Sequence, residues 1–118
     1  MIIQAANSLP NSQNHIFVTL KEHLENYPLE KTLKQEYQDA NIISIDEVTQ
    51  GQAITCSLGL KDADENSSLL IAATDNGMIY NHEKYQNLIE DENVDAIIFT
   101  FKHHISSKNN PQMYGWVK

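Results

Sequence analysis

The sequence predicts an α/β fold, Rossmann-like, with a mostly parallel sheet flanked by helices. Three observations carry that expectation. Short apolar runs of strand length recur at Ile16–Leu20, Ala40–Asp46, Leu69–Ala73 and Val94–Phe101. Segments with helical apolar spacing lie between them, the alternation that produces βαβ units. The third observation is the run Leu69-Leu70-Ile71-Ala72-Ala73, which has no polar break and stops at the turn residues Thr74-Asp75-Asn76-Gly77. It reads as a strand buried on both faces, as in the middle of a parallel sheet. Ligands of open α/β sheets sit at the carboxyl ends of the strands. Asp75 is therefore well sited to hold a Mg²⁺ that carries a phosphate group, with stabilisation of the turn as its competing role.

In chain order, Ile2 to Leu9 has Ile2, Ala5, Ala6 and Leu9 on one side of a short helix, and Pro10-Asn11-Ser12 breaks it. Ile16–Leu20 is the first strand. Lys21 to Tyr27 is polar and turn-like. Pro28 suits the first position of a helix, and Leu29, Leu33 and Tyr37 recur on one stripe opposite Glu30, Lys31, Lys34 and Glu36. Ala40–Asp46 is a second strand. Thr49 is a candidate cap for a helix of small residues, Ala53 to Leu60. Lys61 to Ser68 is a polar loop before the Leu69 run. Asn81 can cap a helix over His82 to Asp91, with Tyr85, Leu88 and Ile89 buried. Val94–Phe101 is a further strand, Lys102 to Pro111 a loop, and Met113 to Lys118 the start of a last strand.

Composition bounds the function. The chain has 118 residues, enough for one domain with a modest core, and 41% of them are apolar. Its net charge is -8 and all basic residues are lysine. An acidic chain without arginine argues against nucleic-acid binding, which needs cations against phosphates. Any phosphate clamp must then be lysine, backbone amide or metal. Cys56 is the single cysteine, so no internal disulfide forms, which fits a reducing compartment. Its neighbours Ile54 and Leu58 make it a small core residue rather than a nucleophile. No run approaches a membrane span and the N-terminus has no secretory pattern, so the expected location is the cytoplasm and the Asn66-Ser67-Ser68 sequon is incidental. Adjacent His103 and His104 point to opposite sides of an extended segment and do not readily share a metal. Tyr114 and Trp116 share one side of the last segment and read as packing residues that could border a pocket.

Several stretches, in order, resemble the sugar-phosphate nucleotidyltransferases. Ile45-Asp46-Glu47-Val48-Thr49-Gln50-Gly51-Gln52-Ala53 resembles their base-binding turn. Leu69 to Asn76 is similar to their metal-aspartate strand. Asn110 to Val117 resembles the segment before their sugar-binding strand, and His15 to Leu24 an early strand and turn. The resemblance implies an enzyme that joins a nucleoside triphosphate to a sugar phosphate, a precursor of surface glycans, and releases pyrophosphate. It implies that Gly51 lets the nucleobase approach the backbone, that Gln52 or Gln50 reads the base edge, and that Asp75 holds Mg²⁺ across the phosphates.

The family's glycine-rich triphosphate loop has no counterpart, since Gly51, Gly59, Gly77 and Gly115 are scattered. Met1 to Leu9 would match the helix that follows that loop. The lysine that holds the sugar phosphate and the second metal aspartate would lie beyond Lys118. The expectation is thus a single partial domain over 1–118, incomplete and inactive in isolation. The missing strand would leave a gap, closed by pairing Ile16–Leu20 with Leu69–Ala73 or by a strand from another copy in a homo-oligomer. The alternative is a non-catalytic α/β binding or assembly module. A flavodoxin- or receiver-like domain is a weaker third reading, because Thr19-Leu20-Lys21 offers no acid pair.

Overall fold

The structure is a computed structural model that describes residues 1–61 and 63–117. The chain divides into two compact units, Met1–Ile79 and Tyr80–Lys118.

The first unit is built on one βαβ passage. Strand β1 (Ile16–Leu20) runs into helices α2 (Lys21–Asn26) and α3 (Leu29–Glu36), and the chain returns through β2 (Asn41–Ile45). The strands pair in parallel from Ile16 opposite Asn41 to Leu20 opposite Ile45. β-Branched residues are the majority of both strands, with Phe17 in β1, which suits a pleated, half-buried surface.

The alternation along β1 sends successive side chains to opposite faces. Phe17 faces the core with Leu33 and Ala40, and Ile2, Ile3, Ala6, Leu29, Tyr37 and Ile42 pack around them. Helices α1 (Ile2–Asn7) and α3 thus cover one side. Leu33 is 0% exposed, as the stripe Leu29, Leu33, Tyr37 leads one to expect. On the other side α4 (Gln52–Gly59) packs on β1. There a Cβ added at Gly59 would lie 3.0 Å from Val18 Cγ2 and 3.6 Å from Ile16 Cγ2. Glycine at this position lets the helix end rest on the sheet.

Several expectations are corrected. The polar stretch Lys21–Tyr27 is not a turn: its first six residues form α2, entered directly from the extended end of β1 at Leu20. Local hydrophilicity misleads here because α2 buries none of its residues and depends on its neighbours β1 and α3. The run Leu69–Ala73 is not a buried strand. It takes neither helical nor strand structure, and Leu69 and Ile71 are 57% and 52% exposed. Its pairing with Ile16–Leu20 is not made, because the two-stranded sheet contains β1 and β2 alone. An apolar run supplies the burial preference of a strand, but a strand exists only where a second backbone accepts its hydrogen bonds.

The second unit contains α5 (His82–Ile89), α6 (Ile105–Asn109) and a 3₁₀ turn at Pro111–Met113. Asn81 caps α5 as its sequence position suggests, its Oδ1 accepting from the Lys84 amide at 2.8 Å. Val94–Phe101 is not a strand either, and the Lys102–Pro111 loop holds α6. Residues Tyr114–Val117 form no strand, and Lys118 lies outside the described residues. An aromatic group organises this unit. Tyr80, Tyr85 and Phe99 have ring centroids 5.6 to 5.8 Å apart, and His82 lies 4.3 Å from Tyr80. Ser107 is its one buried residue among those described.

Candidate functional site

The candidate nucleotide-binding residues Gln50, Gly51 and Gln52 fall together in the turn that leaves β2 and opens α4. The two strands are parallel, so this turn follows the carboxyl end of β2, which lies level with the carboxyl end of β1. Thr49 braces it. The Thr49 hydroxyl contacts the Thr55 hydroxyl at 2.6 Å and lies 3.0 Å from the Gly51 carbonyl. The expected helix cap is thus a turn brace instead: Gly51 holds the cap position, and the Gly51 amide donates to Thr49 Oγ1 at 3.4 Å.

Gly51 is fully extended, with φ 160° and ψ 164°. No atom lies within 4 Å of the position a Cβ would take. The backbone of the turn is therefore open on that side. The Gly51 carbonyl accepts from the amides of Ile54 and Thr55 at 3.1 and 3.2 Å. The amides of Gln52 and Ala53, in the first turn of α4, have no acceptor among the described residues. Open amides at a helix start are donors for a negatively charged or carbonyl-bearing ligand.

Asp75 belongs to a later stretch of the chain. It is exposed, in a bend that follows the irregular Leu69–Ala73 run, rather than at the end of a sheet strand. Its Oδ1 accepts from Asn76 Nδ2 at 3.0 Å, and its second oxygen makes no hydrogen bond among the described residues. The bend is tied to α1, where the Met78 amide donates to Ser8 Oγ at 2.9 Å and Gly77 packs on Ser8 and Ala5. No hydrogen bond joins this bend to the Gly51 turn among the described residues. Among the described residues no three His, Cys, Asp or Glu side chains gather to hold a metal. Asp75 nevertheless suits Mg²⁺ in one manner. Magnesium is often held by one or two carboxylates plus water and substrate phosphates, and one free carboxylate oxygen is what Asp75 offers.

The remaining candidates have structural roles. His104 Nδ1 accepts from the Ser106 amide at 3.3 Å and caps α6. Neighbouring His103 has a φ of 62°, which sets the bend between Phe101 and α6. Trp116 Nε1 donates to the Pro111 carbonyl at 3.0 Å, and Phe101 meets Tyr114 edge to face. A shallow depression of about 600 Å³ beside α2 and α3, lined by Leu24, Tyr27, Pro28, Lys31 and Lys34, includes neither Gly51 nor Asp75.

Sequence reasoning missed one polar cluster. The Tyr37 ring packs on His15 and Phe17, with centroids 4.3 and 5.5 Å away. Its hydroxyl donates to Asn7 Oδ1, and Asn7 Nδ2 donates to Glu36 Oε1 at 3.2 Å. Burial first, and the neighbouring Glu36 carboxylate second, push the Tyr37 hydroxyl above its ordinary pKa of 10.0. The members lie about thirty positions apart, a separation that no local sequence pattern records.

No family model, curated protein or solved structure matches the chain.

Proposed function

We propose that this chain carries a Rossmann-like nucleotide-binding site of the kind used by sugar-phosphate nucleotidyltransferases. The base would lie against the open backbone at Gly51, with Gln50 and Gln52 reading its edge. A nucleoside triphosphate would enter with Mg²⁺, and Asp75 would hold that ion. When bound, the ion would neutralise phosphate charge and orient the triphosphate. The reaction class is transfer of a nucleotidyl group to a sugar phosphate.

The observation that carries this reading is the strand–turn–helix at Ile45–Gln52. It couples an unobstructed extended glycine with unbonded first-turn amides after the carboxyl end of a parallel strand. That is where open α/β sheets accept nucleotides, because strand ends and helix starts there direct backbone donors at one place. The net charge of -8 makes a metal-neutralised phosphate a better fit than a bare one.

Calorimetric titration with nucleoside triphosphates, with and without Mg²⁺, tests the proposal. The expected result is Mg²⁺-dependent heat, with affinity reduced about tenfold or more in Asp75→Asn, a loss of ~1.4 kcal/mol. Binding without pyrophosphate release in the presence of sugar phosphates would favour the non-catalytic module. No heat with any nucleotide would overturn the nucleotide reading.

A further inference from the structure

Asn76 is the one asparagine of the chain followed by glycine. We propose that Asn76-Gly77 is a site of spontaneous deamidation, at which the protein carries a built-in covalent ageing reaction. The proposal stands apart from the nucleotide reading and needs no ligand.

The chemistry is intramolecular. The Gly77 backbone nitrogen attacks the Asn76 side-chain carbonyl carbon. A bond forms between that nitrogen and Cγ, the Cγ–Nδ2 bond breaks, and Nδ2 leaves as ammonia with the proton that Gly77 gave up. Water then opens the succinimide ring. Attack at the side-chain carbonyl gives aspartate, and attack at the main-chain carbonyl gives isoaspartate. No oxidant, reductant or co-reactant other than water is required.

Three features of the fold leave the reaction open. Gly77 has no side chain to shield its nitrogen. Asn76 and Gly77 are both exposed and belong to no helix or strand. The Gly77 amide has no acceptor among the described residues, whereas the next amide, that of Met78, is held by Ser8 Oγ at 2.9 Å. Two other asparagines in turns show the contrast. The amide that would attack Asn66 is that of Ser67, and it donates to the Asp64 carbonyl at 3.1 Å. The amide that would attack Asn93 is that of Val94, and it donates to the Asp91 carbonyl at 3.0 Å. Those nitrogens must break a hydrogen bond before they react.

The product has a structural consequence. Either outcome places a second carboxylate beside Asp75. Isoaspartate also adds a methylene to the main chain immediately before Gly77, where even an added Cβ would come within 3.2 Å of Ser8 Oγ. The bond from Met78 to Ser8 that ties this bend to α1 is then disturbed.

The test is incubation of the full chain at neutral and mildly alkaline pH, followed by peptide mapping that separates asparagine, aspartate and isoaspartate. Conversion is expected at residue 76 ahead of every other asparagine, faster at higher pH, with isoaspartate the larger product. The folded rate should be within about threefold of the urea-unfolded rate, as for a segment whose local opening costs almost nothing. Asn76→Gln and Gly77→Ala should each abolish or strongly slow it, and Asn76→Gln leaves the glycine contact with Ser8 untouched. Protection of Asn76 in the folded chain relative to the unfolded one, or equal conversion at Asn66 and Asn93, would overturn the proposal.

Discussion

Leu33 and Tyr37 lie one helical turn apart at the same stripe of the chain and fail in different ways. Leu33 is the fully buried large side chain of the first unit, closed in by Phe17 and Ala40. Truncation to alanine removes its contacts and leaves a cavity, so Leu33→Ala should lower stability by about 2–5 kcal/mol in denaturant unfolding. Tyr37 is held by its ring and by its hydroxyl. Its folded pKa is raised above 10.0, so the stabilisation is fully present below that value and is lost as pH rises through the folded pKa. The unfolding midpoint of the native chain should therefore fall on that alkaline limb more steeply than that of Tyr37→Phe. Equal slopes would show that the phenol does not titrate as the structure requires.

At the scale of elements, α4 and β1 meet through the absence of a side chain. Gly59→Val would drive new methyl groups into Val18 and Ile16, which already stand at 3.0 and 3.6 Å from the position of a Cβ. The expected cost is about 1–3 kcal/mol, as for overpacking in a core, read from the shift in unfolding midpoint. The same comparison explains which elements the chain announces locally. β1, β2 and α3 follow from runs and stripes within ten residues, and Asn81 marks the start of α5, although the expected buried stripe Tyr85, Leu88 and Ile89 is not buried there. α2 carries no such stripe, and its polar sequence is helical through placement after β1. Leu69–Ala73 has the residues of a strand without a neighbouring backbone to bond, so composition promised a ladder that the fold does not form.

Over the whole molecule the two units differ in what holds them. The first has a buried cluster of Phe17, Leu33 and Ala40 beneath a paired sheet. The second is gathered around half-exposed aromatic rings, with Ser107 its one buried residue among those described. Hydrogen exchange should therefore find the slowest amides in β1 and β2, and faster exchange throughout α5 and α6. Slower exchange in α5 than in β1 would contradict that order. No described helix is long and apolar enough to cross a membrane.

The sequence by itself determined the α/β class, the strands at Ile16–Leu20 and within Ala40–Asp46, the Leu33 core position and the local turn at Gly51, but not which strands pair. Each depends on residues within one or two turns of chain, where side-chain period and backbone preference are set by covalent geometry. The reactivity of Asn76 also begins as a dipeptide property. Only the tertiary structure decided that Leu69–Ala73 stays unpaired, so that Asp75 follows an irregular run instead of a strand. It also brought Tyr37 to Asn7 and left the Gly77 amide without an acceptor. Those outcomes depend on which distant backbone or side chain arrives to complete a hydrogen bond, and that partner is not written beside the residue that needs it.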